Sequence, residues 1–270
     1  LFKMENILKK IIIKKKDDLL NLKKKLSINN LLNDIKKVNN YNNFKEKIKK
    51  RTLEKKISII AEIKQASPSA GVLVKDFNYL NIAKAYIENG ATCLSVLTEE
   101  NFFLGKHDFI KEIKKFYSIP ILCKDFFIDT YQVALAKYFS ADCVLIILSA
   151  VDKMLARDIY QAAIDLKIST VIEVHTKKEA EFALNFEESI IGINNRNLKT
   201  LETSLNTSLI LSKILSDHKN PLICESGIHN DKELKFIVEK TQIYNFLIGE
   251  SLLVEGDIGS KLKEFTQISL

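Results

Sequence analysis

The sequence contains no tryptophan and has only 3 prolines and 8 glycines in 270 residues. Arginine is nearly missing too, at positions 51, 157 and 196 alone, which leaves lysine as 38 of the 41 basic residues. With abundant Asn and Ile beside them, these shortages read as a drift toward A/T-rich codons. The net charge of +7 and pI near 9.0 then follow from lysines scattered over solvated faces. They do not call for nucleic acid, which would want lysines clustered with aromatics on one face. No apolar run reaches the roughly 18 residues of a membrane span. The lysine-rich start carries Asp17 and Asp18 and lacks the apolar core and cleavage site of a secretion signal. Cysteines 93, 123, 143 and 224 form no C-x-x-C pair, and each falls in or beside an apolar run. They read as small buried hydrophobes in a reducing cytosol, not as metal ligands or disulfides. The histidines at 107, 175, 218 and 229 show no H-E-x-x-H or other ligand spacing. His175 alone sits near a chemically interesting position, just past Glu173.

What is present is a set of short apolar runs, several ending on a polar or glycine residue. Strands are predicted near 57–63, 92–97, 119–123, 142–147, 168–173, 189–194, 220–225 and 244–248. Helices are predicted near 78–89, 107–117, 129–139, 153–166, 176–185, 204–216, 230–239 and 257–266. Buried strands alternating with helices about every 26 residues suit a (β/α)₈ TIM barrel better than an open doubly wound sheet. No stretch resembles a domain linker. Before the barrel, Ile7, Leu8, Ile11 and Ile12, then Leu19, Leu22 and Leu26, fall at helical spacing. One amphipathic helix is expected at about 4–26 and a second segment near 42–50. Residues 1–50 are therefore read as a helical extension packed on the barrel of 51–270, in one domain overall. Met4 offers a natural start, with residues 1–3 ahead of it.

In such barrels chemistry gathers at strand C-termini. Glu62 and Lys64 alternate on the first strand, so both face the mouth. The loop Ser67-Pro68-Ser69-Ala70-Gly71 that follows can wrap an anion with backbone N–H groups. Lys124 ends the third strand and Glu173 the fifth. Lysines and carboxylates converging from different strands tune one another's ionisation and suit general acid–base work. Glu225-Ser226-Gly227 ends the seventh strand, and Gly249-Glu250-Ser251 follows the eighth. Loops at those two places commonly hold phosphate in this architecture.

Seven ordered motifs then become recognisable. Ala61-Glu62-Ile63-Lys64 with Ser67-Pro68-Ser69 is followed by Ser95-Val96-Leu97-Thr98-Glu99 with Phe103 and Gly105. Lys124-Asp125-Phe126, Ile172-Glu173-Val174, Gly192-Ile193-Asn194-Asn195-Arg196 and Cys224-Glu225-Ser226-Gly227 complete the series. Together they resemble the indole-3-glycerol-phosphate synthase family across nearly the whole chain, N-terminal extension included. The resemblance implies ring closure, decarboxylation and dehydration of 1-(2-carboxyphenylamino)-1-deoxyribulose 5-phosphate in tryptophan biosynthesis, without metal or organic cofactor. It implies a catalytic set of Lys124 as general acid, Glu173 as proton acceptor, and Lys64 as second acid or positioning group paired with Glu62. Asn194 and Glu225 would hold substrate hydroxyls and the lysines' charges. Ser67, Ser226, Gly227, Gly249, Glu250 and Ser251 would cradle the phosphate. Phe103, Phe126 and Leu198 would form the slot for the aromatic ring, and Arg196 would face the substrate carboxylate.

The sequence departs from the family pattern at Gln65, Ala70 and Asn197, where basic residues and aspartate are common. None of these removes a presumed catalytic group. Many members are fused to phosphoribosylanthranilate isomerase; here one helix follows the last strand, with no room for a second barrel. The expected partner is a small phosphorylated substrate, with no nucleic acid or membrane, in a cytoplasmic monomer or weak homodimer. The competing readings are a basic nucleic-acid binder and an inactive phosphate-binding barrel retained as a scaffold.

Overall fold

A computed structural model describes residues 2–37, 41–197, 200, 202–253 and 258–268, with side chains from residue 7 onward. Three helices lead: α1 (Phe2–Lys25), α2 (Ile28–Ile35) and α3 (Phe44–Leu53). Then come β1 (Ser58–Ile63), the two-residue strands β2 (Ala66–Ser67) and β3 (Gly71–Val72), and α4 (Tyr79–Glu88). Strands and helices alternate from there: β4 (Cys93–Leu97), α5 (His107–Phe116), β5 (Ile121–Lys124), α6 (Tyr131–Tyr138), β6 (Cys143–Ile147) and α7 (Lys153–Asp165). The series continues with β7 (Ser169–Val174), α8 (Lys177–Ala183), β8 (Ile190–Asn194), α9 (Asn206–Ile214), β9 (Leu222–Glu225) and α10 (Asp231–Thr241). It closes with β10 (Asn245–Ile248), α11 (Glu250–Leu253) and α12 (Ser260–Thr266). Eight strands form a closed parallel barrel in the order β1-β10-β9-β8-β7-β6-β5-β4, sealed where β1 pairs with both β10 and β4. The fold is the (β/α)₈ barrel, and every predicted barrel strand lies within two residues of an observed one.

The strands are apolar on both faces because both faces are covered. Outward residues such as Ile59, Ala61, Leu94, Val96 and Ile172 pack under the helices. Inward residues Ile60, Cys93, Leu122, Cys143, Leu145, Val171, Ile190, Ile223 and Leu247 fill the barrel. Period-two alternation then decides what comes next along each strand: two residues past Leu122, Val171 and Ile223 stand Lys124, Glu173 and Glu225. All four cysteines are buried and free.

Helix α3 stops the opposite end of the barrel. Its Phe44 and Ile48 have no exposed surface and join the inward cluster. Beside them Asp142 accepts the backbone N–H groups of Asn42 at 2.6 Å and Ile121 at 2.8 Å, and pairs with Lys114 at 2.5 Å. Helix α1 lies toward the end of the barrel where the strands' C-termini open. Lys15 meets Asp125 at 2.7 Å with both side chains buried, Asn101 donates to Asp18 at 2.8 Å, and Lys23 pairs with Asp129 at 2.6 Å. Lys9, Lys10, Lys16, Lys24 and Lys25 point to solvent. Between α1 and α3 lies α2, which the sequence reading passed over. Its segment INNLLNDI is poor in strong helix formers, but Ser27 caps it and Leu31 and Ile35 bury against Tyr131, Ala134 and Leu135. No helix among the described residues is long and apolar enough to cross a membrane.

Candidate active site

The inward side chains at the strand C-termini converge on one cavity of about 230 Å³. Glu62, Lys64, Lys124, Glu173, Asn194 and Glu225 form its polar wall. Lys124 stands at the centre, with Nζ 2.8 Å from Glu225 Oε2 and 3.3 Å from Glu173 Oε2. Asn194 Nδ2 donates to Glu173 Oε1 at 3.2 Å, and Lys64 reaches Glu62 at 2.7 Å. Burial opposes charge in Lys124 and in the three glutamates, and their partners decide the outcome. For Lys124 burial works against the ammonium, yet Glu225, Glu173 and Glu62 outweigh it and raise its pKa well above the ordinary value. For Glu173 burial favours the neutral acid, but Lys124, His175 and Asn194 hold its carboxyl far below the usual range. Glu225 goes the other way. Burial pushes it to about 7, against the pull of Lys124 and with the help of neighbouring Glu173. Two buried carboxyl groups on one ammonium are thus pulled in opposite directions, Glu173 downward and Glu225 upward. For Glu62, burial is outweighed by Lys64 and Lys124, and its pKa falls.

Room for this cluster depends on two glycines. A methyl group at Gly192 would meet Glu225 Oε1 at 2.0 Å, and one at Gly249 would meet Glu62 Oε1 at 2.5 Å. Both glycines let a carboxylate lie flat against a neighbouring strand, a task for absent Cβ atoms more than for unusual backbone angles.

One side of the cavity is apolar. Phe103 and Phe126 line it with ring centroids 6.1 Å apart and planes at 41°. Ile7, Leu8 and Ile11 of α1 also line it. The other side carries the loops after β9 and β10. Ser226 and Gly227 both take left-handed backbone angles, φ 65° and 85°. Such a turn is costly for serine and needs bracing. Buried Asn195 braces it: Nδ2 donates to the carbonyls of Glu225 and Ser226, each at 3.1 Å, while Oδ1 accepts from the N–H and hydroxyl of Ser208. Ser226 Oγ donates to Asn194 Oδ1 at 2.9 Å, joining that turn to the carboxylate cluster. Arg196 spans the mouth, with Nη1 donating to Ser69 Oγ and Nη2 to Glu250 Oε2, both at 3.2 Å.

The family model for indole-3-glycerol phosphate synthase matches residues 8–265. A protein of that name from Bordetella pertussis is 38% identical over 259 residues, covering 96% of this chain and 98% of its own. The chain belongs to the indole-3-glycerol phosphate synthase family. A relative of the same name from Legionella pneumophila (strain Lens) is 42% identical over 207 residues, 77% of this chain and 80% of its own. The barrel itself is shared more widely. A 3-hexulose-6-phosphate synthase structure from Salmonella typhimurium superposes with TM-score 0.63 at 12% identity, over 78% of this chain and 97% of that one. That likeness concerns the fold alone.

Within this synthase-family chain the sequence-predicted residues can be located one by one. Lys64, Glu62, Lys124, Glu173, Asn194, Glu225, Ser67, Phe103, Phe126, Arg196, Ser226, Gly227, Gly249, Glu250 and Ser251 all line the one cavity. Leu198, the third expected member of the aromatic slot, lies outside the described residues. Ser251 lines the cavity, but its hydroxyl is engaged with the carbonyl of Ile228 at 3.0 Å. Ile7, Leu8 and Ile11 join the cavity lining unforeseen, because their apolar spacing signals docking but not its place. The sequence reading left His175 undecided. The ring lies with Nε2 3.2 Å from Glu173 and Nδ1 3.6 Å from Glu179, close ion-pair contacts on both sides without aligned hydrogen bonds. Burial would lower its pKa, but the two carboxylates prevail and raise it to about 9. A charged imidazolium therefore backs Glu173 from behind.

Proposed function

We propose that this chain catalyses the reaction of its family as a carboxy-lyase in the cytoplasm. It would convert 1-(2-carboxyphenylamino)-1-deoxyribulose 5-phosphate to indole-3-glycerol phosphate, carbon dioxide and water. The observation that carries this reading is the Lys124 ammonium held between Glu173 and Glu225, in the same cavity as the Glu62–Lys64 pair. The substrate's aromatic ring lies in the slot of Phe103 and Phe126, and its phosphate lies at the Ser226-Gly227 and Gly249 loops. Arg196 exchanges its contact with Glu250 for the substrate carboxylate.

In ring closure, the ring carbon bearing the carboxylate attacks the ketone carbon. A carbon–carbon bond forms as the carbonyl π electrons move to oxygen. Lys124 protonates that oxygen, and the same charge stabilises it as it develops. Carbon dioxide then leaves, and its bonding electrons restore aromaticity. In dehydration, Lys64 gives a proton to the departing hydroxyl and Glu173 accepts a proton from the new five-membered ring. Glu173 is held in place for this by Asn194, and Glu225 holds Lys124 in line. The apolar floor of Leu145, Ile147 and Leu247 keeps the field of these charges strong.

Purified protein mixed with the substrate should produce indole fluorescence. Substrate binding with no product, over protein concentrations that bind stoichiometrically, would instead leave an inactive scaffold as the reading.

A further inference from the structure

We infer that Glu99 is a specificity-determining positioning residue: its buried carboxylate builds the loop that presents Phe103 to the substrate's aromatic ring. The inference rests on reading Phe103 and Phe126 as the ring slot. Glu99 stands two residues past β4, is 1% exposed, and does not line the cavity. Its side chain folds over the residues that follow. Oε1 accepts the backbone N–H of Asn101 at 3.1 Å, and Oε2 accepts those of Phe102 at 2.7 Å and Phe103 at 3.1 Å. Its own carbonyl accepts the N–H of Gly105 at 2.8 Å. One residue thus ties down four of the next six backbone amides.

The loop needs that many ties. Leu104, next to Phe103, adopts φ 56°, and a β-carbon on Gly105 would strike the Leu97 carbonyl at 2.2 Å. A left-handed leucine is unfavourable and persists only where its surroundings over-determine it. Residues 100–106 have no helix or strand of their own to supply those bonds. The other ring of the slot is held in the same manner. Asp125 Oδ1 accepts the Phe126 N–H at 2.7 Å, and Asp125 Oδ2 accepts the Thr98 hydroxyl at 2.8 Å. Lys15 of α1, paired with Asp125, also feels the charge of Glu99. The spacing between the two rings is therefore set by two buried carboxylates that never touch the ring they serve.

The test compares a ligand with a ring and one without, on the full chain. Calorimetry would measure indole-3-glycerol phosphate and inorganic phosphate binding to wild type, Glu99→Gln, Phe103→Ala and the double variant. Losing one acceptor of charge-assisted bonds should weaken indole-3-glycerol phosphate about 10-fold, leave phosphate unchanged, and raise KM more than it lowers kcat. Glu99→Asp keeps the charge on a shorter stem, should recover part of the loss, and serves if the glutamine variant does not fold. Because both changes act on one contact, the double variant should bind no more weakly than Phe103→Ala alone. Normal ring affinity in Glu99→Gln beside a weakened Phe103→Ala would overturn the role of Glu99 alone. Normal affinity in Phe103→Ala would remove the slot reading and this inference with it. Equal weakening of phosphate, or losses that multiply in the double variant, would also overturn the inference.

Discussion

Gly192→Ala adds one methyl group to a strand that could otherwise accept it, since Gly192 has no left-handed backbone angle. Alanine in a strand interior would normally gain roughly 0.5–1 kcal/mol over glycine. Here the new carbon arrives 2.0 Å from Glu225 Oε1 and 3.1 Å from Val171 Cγ1. Ordinary contact needs roughly 3.5 Å, so the carboxylate must retreat by about 1 Å or more. It cannot retreat freely, being 1% exposed and bonded to Lys124 at 2.8 Å. Overpacking costs about 1–3 kcal/mol, and a lost charge-assisted hydrogen bond about 1.5–3 kcal/mol. The expected net loss of stability is roughly 2–4 kcal/mol, or a Tm lower by roughly 5–15 °C. A displaced Lys124–Glu225 pair should also reduce kcat by about 100-fold. Differential scanning calorimetry and the indole fluorescence assay would read the two effects. The decisive control is Glu225→Ala, which empties the contested space; Gly192→Ala should be harmless to stability in that background. Wild-type Tm and kcat in the single variant, or an undiminished stability cost in the Glu225→Ala background, would refute the steric argument.

Lys124→Met keeps the apolar stem but cannot donate a proton, so kcat should fall about 10²–10⁴-fold with a smaller change in KM. Glu225→Gln should harm turnover less, and a near-normal kcat in Lys124→Met would shift the acid's role to Lys64. His175 has a folded pKa raised from 6.5 to about 9, so its contribution to stability is full below about pH 6.5 and disappears as pH rises through 9. The Tm difference between wild type and His175→Gln should accordingly shrink between pH 6.5 and 9.5; a constant difference would count against the ion pairs. Lys114→Met strands the buried Asp142 carboxylate and should cost about 3–5 kcal/mol in urea unfolding, while kcat of the remaining folded protein stays unchanged. Phe44→Ala should cost a similar amount, about 3–5 kcal/mol, by opening a cavity at the closed end of the barrel.

The barrel was legible because period-two burial is written directly into each strand, as in Ile60 followed by Glu62 and Leu122 followed by Lys124. The site was legible because the same alternation sends those polar residues to one place. Three elements were not. Helix α2 is capped by Ser27 and carries Ile28, Leu31, Leu32 and Ile35 at helical spacing, but over only eight residues and among three asparagines and an aspartate, so its docking on α6 is what distinguishes it from a polar connection. The β2–β3 hairpin has two-residue strands, too short for any periodicity. Helix α11 is a single turn of four residues that lies ahead of the helix expected at 257–266, too short for any periodicity. The split between Glu173 and Glu225 was also hidden, since both are glutamates ending apolar strands. His175 and Asn194 lie beside Glu173, and no strand pattern reports that placement.

The N-terminal segment holds both ends of the barrel, Lys15 against Asp125 at one end and Asn42 against Asp142 at the other. Each of those links joins residues about a hundred positions apart, so this stretch is made well before the residues that seat it. At about 5–20 residues per second, α1 waits roughly 5–20 s for Asp125 to be synthesised. During that interval its apolar stripe of Ile11 and Leu19 has no barrel to cover it. The lysines crowded along the same helix then have a second use: like charges on neighbouring nascent chains hold those stripes apart until the strands that receive them exist.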